Sequence, residues 1–120
     1  MNARSVSILF FILIALIAAG CKKTIPQTIL KEIGPARIKA GEGFYVQPDG
    51  VSAMWVKTDN ATPKTVIMWG DQKIRTDFKE PQFLTAPVPK ELYAKPGRYQ
   101  ICLIDSETGA KSNCLTMIVE

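Results

Sequence analysis

The chain contains no histidine. This removes the commonest general base and the commonest metal ligand together. Ser52, Ser106 and Ser112 therefore have nothing to activate them, and none lies in a Gly-x-Ser-x-Gly setting. Cysteine is scarce: Cys21, Cys102 and Cys114 are all there is, too few for a soft metal site without imidazole. Nothing in the spacing of Asp49, Asp59, Asp71 and Asp77 argues for a catalytic carboxylate pair or an alternating calcium loop, and they read as turn formers. No catalytic residue, no metal and no cofactor is expected. A surplus of one charge is missing too. Once Arg4, Lys22 and Lys23 are set aside, residues 24–120 carry 12 basic and 11 acidic side chains, scattered along the chain. A track for nucleic acid needs basic residues gathered on one face, so no nucleic-acid partner is expected. Long apolar runs are also absent. The longest, Val6 to Ala19, extended as a helix to Cys21, spans about 24 Å. A bilayer core is about 30 Å thick, so this run is too short for a spanning anchor.

What is present begins with that run. A short positive start, Met1-Asn2-Ala3-Arg4, an apolar middle and the small residues Ala18-Ala19-Gly20 are the parts of a secretory signal peptide. The cysteine directly after Gly20 resembles the lipobox of bacterial lipoproteins, in which the thiol receives a diacylglyceryl group and becomes the first mature residue. The resemblance implies a leader over residues 1–20 and lipid attachment at Cys21. An ordinary cleaved leader, with Cys21 merely nearby, is the competing reading. One acyl chain holds only marginally, whereas two or three anchor a protein stably. Lys22 and Lys23 add attraction to anionic head groups. They are not the aspartate of an inner-membrane retention signal, so the implied address is the bacterial envelope, at the outer membrane of a host with two. Residues 21–28, polar with Pro26, read as a tether.

Residues 29–120 read as one β domain. Runs rich in β-formers are broken every eight to twelve residues by Pro, Gly, Asp or Asn: 28–33, 43–47, 51–57, 64–69, 73–78, 82–88, 98–105 and 112–119. Residues 89–95 suggest one helical turn before Pro96-Gly97. The last two runs can be read in register. With Glu107-Thr108-Gly109 as a three-residue loop, Ser106 faces Ala110 and Cys102 faces Cys114. Alternation then gathers Tyr99, Ile101 and Leu103 with Leu115, Met117 and Val119 on a core face and puts the cysteines on the other. In an exported protein an even cysteine pair predicts a disulfide, Cys102 to Cys114. This register leaves open whether the pair falls at the wider, hydrogen-bonded spacing.

A family resemblance is carried by Val66 to Val119. Ile67-Met68-Trp69-Gly70-Asp71 followed by Ile74-Arg75-Thr76-Asp77-Phe78 is similar to the strand, polar turn and strand of bacterial IPT/TIG domains. Leu84-Thr85-Ala86-Pro87-Val88-Pro89, Gly97 and Tyr99–Asp105 also resemble that family. Ile33-Gly34-Pro35 and Ala40-Gly41 look like its opening, while Gly43 to Gly50 departs from its glycine-rich second strand. The resemblance implies an all-β, immunoglobulin-like sandwich of seven to eight strands. It implies no reaction, because fold alone does not give function.

Aromatic residues are the usual anchors for protein and sugar partners. Trp55 and Trp69 lie in runs apolar on both sides and read as core more than as contact. Phe44 and Tyr45 are adjacent, so in a strand one must point outward, beside the Pro48-Asp49-Gly50 turn. Phe44, Tyr45 and Trp55 are the candidate partner contacts, placed at a loop end because a domain this small spends its interior on one core. Asn60-Ala61-Thr62 matches a glycosylation acceptor by chance. The expected function is a lipid-anchored, non-enzymatic module binding an envelope protein or glycan. An immunity or inhibitor lipoprotein and a structural spacer are the alternatives.

Overall fold

The computed structural model describes residues 26–120. The expected leader and the lipid attachment at Cys21 lie outside the described residues. Among those described, nine strands form two sheets. In chain order they are β1 Ile29–Gly34, β2 Arg37–Ile38, β3 Ser52–Asp59, β4 Thr65–Trp69, β5 Gln72–Ile74, β6 Asp77–Glu80, β7 Phe83–Val88, β8 Gly97–Asp105 and β9 Leu115–Val119. One sheet runs β1-β3-β7-β6 and the other β2-β9-β8-β4-β5. All pairings are antiparallel except β2 with β9. A single 3-10 turn, Lys90–Tyr93, stands where one helical turn was expected. Among the described residues no helix is long and apolar enough to cross a membrane.

The architecture is the all-β sandwich that the strand spacing implies, and the core sits between the sheets. Leu30, Met54, Val56, Leu84, Ala86 and Val88 face it from one side. Ile67, Trp69, Ile74, Ile101, Leu103, Met117 and Val119 face it from the other. Each inward residue is followed by an outward one, the period of two that a half-buried strand imposes. Trp69 is thereby a core residue, 3% exposed.

Strand boundaries differ from the sequence expectation in three places. Residues 43–47 form no strand, because Tyr45 takes φ 41° and turns the chain. The run 73–78 splits into β5 and β6, which belong to different sheets. Ile74 is buried and Phe78 packs against the same core, so the period of two persists while the chain changes sheet at Arg75-Thr76. Thr76 Oγ1 holds this crossing by accepting from the Ile67 amide (2.9 Å) and donating to the Ile74 carbonyl (3.0 Å). Finally, β2 is only two residues long, below what periodicity can reveal.

The β8–β9 hairpin has the expected register from Gly97↔Val119 to Ile101↔Leu115. Cys102 and Cys114 are joined in a disulfide, with Cα atoms 4.4 Å apart. That is the narrow spacing of a non-hydrogen-bonded pair, which resolves the open question of site type. Nearer the turn the register slips by one, with Ile104 bridging Lys111 and the Asp105 amide donating to the Ala110 carbonyl. The loop is therefore one residue longer than expected. Asn113, freed by the slip, reaches the other sheet: its side-chain amide donates to the Leu30 carbonyl and accepts from the Leu30 N–H, both at 2.8 Å.

Asp105 organises the turn. Its carboxylate accepts from the amides of Thr108 (2.9 Å) and Glu107 (2.8 Å), and these bonds hold its pKa below the ordinary 3.8. A carboxyl with a lowered folded pKa stabilises the fold fully above its unfolded value and loses that contribution as pH falls through the folded one. The unfolding midpoint of wild type should exceed that of Asp105→Asn by a constant amount at neutral pH. The gap should narrow as pH drops below about 4. Thermal melts of both proteins across the acid range check this, and a gap independent of pH would contradict it.

Candidate functional site

The outer face of the β1-β3-β7-β6 sheet carries the aromatic side chains that the core does not take. On β3 the outward positions are Ala53, Trp55 and Lys57, and on β7 they are Phe83, Thr85 and Pro87. The register sets Trp55 opposite Thr85 and Lys57 opposite Phe83. Trp55 and Phe83 are thus diagonal neighbours, close enough for large rings to touch. Their centroids are 6.3 Å apart and their planes 27° apart, an offset, near-parallel pair. Lys57 Nζ stands 5.7 Å from the Trp55 ring and pairs with Glu32 at 3.5 Å. With both charges more than half exposed, that pair contributes little.

On the other side of β3, Trp55 pairs with Gly34 of β1. The indole lies directly over this glycine, and a Cβ there would overlap ring atoms Cε2 and Cζ2. Gly34 is the seat that lets the ring lie along the sheet.

The loop before β3 brings a third ring. Tyr45 is 56% exposed and sits at φ 41°. A left-handed conformation costs a non-glycine residue about 1–2 kcal/mol, and an exposed ring recovers little of it by burial. The loop holds it in place. Gln47 Nε2 donates to the Tyr45 carbonyl (2.7 Å), the Gln47 amide donates to the Val51 carbonyl (3.0 Å), and Asp49 Oδ1 accepts from the Val51 amide (3.0 Å). Phe44 turns the other way. It is half-buried, meets Tyr93 edge-on at 5.0 Å, and its amide donates to Ser52 Oγ, which is bonded to the Tyr93 hydroxyl at 2.9 Å.

Between loop and sheet lies an open cleft of about 600 Å³, floored by Trp55 and Phe83 and flanked by Tyr45. Asp49, Arg75, Asp77 and Lys79 supply charged groups around it, with Arg75 and Asp77 paired at 3.6 Å. Of the three candidate partner contacts, the structure brings Tyr45 and Trp55 together and turns Phe44 toward the core. Phe83, Arg75 and Lys79 had not been singled out. The signal for Phe83 was present: with Leu84, Ala86 and Val88 inward, alternation leaves Phe83 in the solvent phase. Arg75 and Lys79 carried none, since they reach the cleft only because the chain changes sheet. Asp77, read as a turn former, lies in β6 opposite Thr85.

Among the described residues no three His, Cys, Asp or Glu side chains are grouped as metal ligands. What the cleft offers is apolar ring surface with hydrogen-bonding groups at its margin, the composition of a recognition surface. No known family model matches the sequence, and no curated protein matches it.

Proposed function

We propose that the protein is a lipid-anchored, non-enzymatic binding module of the bacterial envelope that recognises a protein or glycan partner. The observation that supports it is the cleft in which Tyr45, Trp55 and Phe83 gather on the solvent side of a sheet whose other side is fully packed. Aromatic rings gathered outside a core mark an interaction surface, and the left-handed backbone at exposed Tyr45 is strain of the kind held at binding sites. The tether of residues 21–28 would hold the domain near the membrane. An IPT/TIG-like module would act in the same way, by binding or spacing other modules.

The test has two arms in the full-length protein expressed in a bacterial host. Mass spectrometry of the wild type should find an acylated mature chain beginning at Cys21, and Cys21→Ser should lack the acyl mass and leave the membrane fraction. An unlipidated wild type would overturn the anchor. Separately, Tyr45→Ala with Trp55→Ala should release the partner from the membrane-bound protein while the fold is kept. If every partner stays bound, the module is a spacer or binds elsewhere.

A further inference from the structure

We infer that the cleft is a glycan site, and that its occupant is a neutral polysaccharide with flat, equatorially linked rings of the β-1,4 type. The inference rests on the cleft being the recognition surface and names what that surface takes.

A sugar ring is amphiphilic in one particular way. Its faces carry C–H groups, and its hydroxyls project around the edge. A matching site needs flat apolar surface underneath with donors and acceptors at the sides. Trp55 and Phe83 provide the first, as two near-parallel rings along the sheet. Lys57, whose Nζ stands over the indole at 5.7 Å, must swing aside to donate to a hydroxyl when a sugar ring takes its place. Gly34 keeps the indole lying on the strand instead of standing off it. The margin provides the second. Asp49 and Asp77 accept from hydroxyls, Arg75 and Lys79 donate to them, and the Tyr45 hydroxyl does either.

Charge argues for a neutral ligand. Two cations face two anions around the cleft, and the neighbouring Lys57 is paired with Glu32. No net field is left to draw in a phosphate or a polyanion. Ring orientation argues for the linkage. In an equatorially linked chain successive rings share one plane, so two of them can lie on Trp55 and Phe83 together. An α-1,4 chain curls and would present only one ring to such a shelf. Tyr45, exposed at the mouth and held there against backbone preference, is placed for a further contact.

The experiment titrates the full-length protein in detergent micelles with cellohexaose, chitohexaose and maltohexaose. Tryptophan emission and calorimetry are followed together. Trp69 is buried and serves as a silent internal reference, so a change in emission reports Trp55. Expected is saturable binding of at least one β-1,4 hexamer, with maltohexaose at least tenfold weaker. Trp55→Ala should weaken binding tenfold or more, and Trp55→Phe, which keeps a ring, less than threefold. Tyr45→Gly should weaken it about threefold while leaving the unfolding midpoint at or above that of wild type. Three results would overturn the inference: no β-1,4 hexamer bound at millimolar concentration, a preference for maltohexaose, or binding that Trp55→Ala leaves intact. If no hexamer binds but an envelope protein is held in a Trp55-dependent way, the glycan assignment fails and the cleft reading stands. If nothing binds in a Trp55-dependent way, both fail.

Discussion

Cys102→Ala with Cys114→Ala is expected to unfold at a midpoint about 10–20 °C below wild type. The bridge closes a segment of 12 residues. Cross-linking a loop of that size removes unfolded-chain entropy corresponding to about 2–3 kcal/mol, and each kcal/mol shifts the midpoint of a domain this small by about 4–8 °C. Alanine is the right replacement because Cys102 is 1% exposed, and a serine there would add the separate cost of a buried hydroxyl. The fold should survive, since Ile101↔Leu115 and the pairs beyond it hold the hairpin without the bridge. Far-ultraviolet circular dichroism against temperature checks the result. Melting within 3 °C of wild type would show that the unfolded hairpin is already closed by its own contacts.

The second large effect is expected from Gly34→Ala, which adds one methyl group beneath Trp55. That methyl overlaps the indole, so the strand or the ring must yield. The strand is held by its pairing with β3, whereas the ring lies on the solvent side, so the ring moves. The expected stability loss is about 1–2 kcal/mol, in the range of a modest overpacking. The loss of binding at the cleft should be tenfold or more, because a shelf built from two near-parallel rings ceases to exist when one swings out. Trp55 emission should shift to the red and near-ultraviolet dichroism should fall. Unchanged emission with wild-type binding would show that the indole does not depend on its glycine seat.

The origin of these two effects separates what could be read along the chain from what could not. The disulfide was legible because a hairpin is local. Gly109 supplies the left-handed residue at φ 75°, and alternation carries the register outward from the turn to the cysteines. The loop is one residue longer than expected, and the one-residue slip between Ile104–Lys111 and Ile101–Leu115 cancels that difference, so the count outward still reaches Cys102 and Cys114. The seat beneath Trp55 was not legible. Gly34 and Trp55 are brought together only by the pairing of β1 with β3 across a long excursion of chain.

The same division runs through the candidate site. Adjacency alone dictated that Phe44 and Tyr45 would diverge, and they do, although through a positive φ at Tyr45 and not through a strand. Periodicity placed Trp69 and Trp55 in equally apolar surroundings, and nothing local could tell the inner sheet face from the outer.

By itself the sequence determined an all-β domain, the spacing of most of its strands, the partner of each domain cysteine, and the lack of any histidine-based chemistry. These follow from the period of two, from turn residues and from composition, all of which act over a few residues. Only the tertiary structure decided that Trp55, Phe83 and Tyr45 would share one cleft with Arg75, Asp77 and Lys79. That depends on which strands neighbour one another and on the chain changing sheets at Arg75-Thr76. Such choices minimise exposed apolar surface over the whole domain, and no window of neighbouring residues contains that sum.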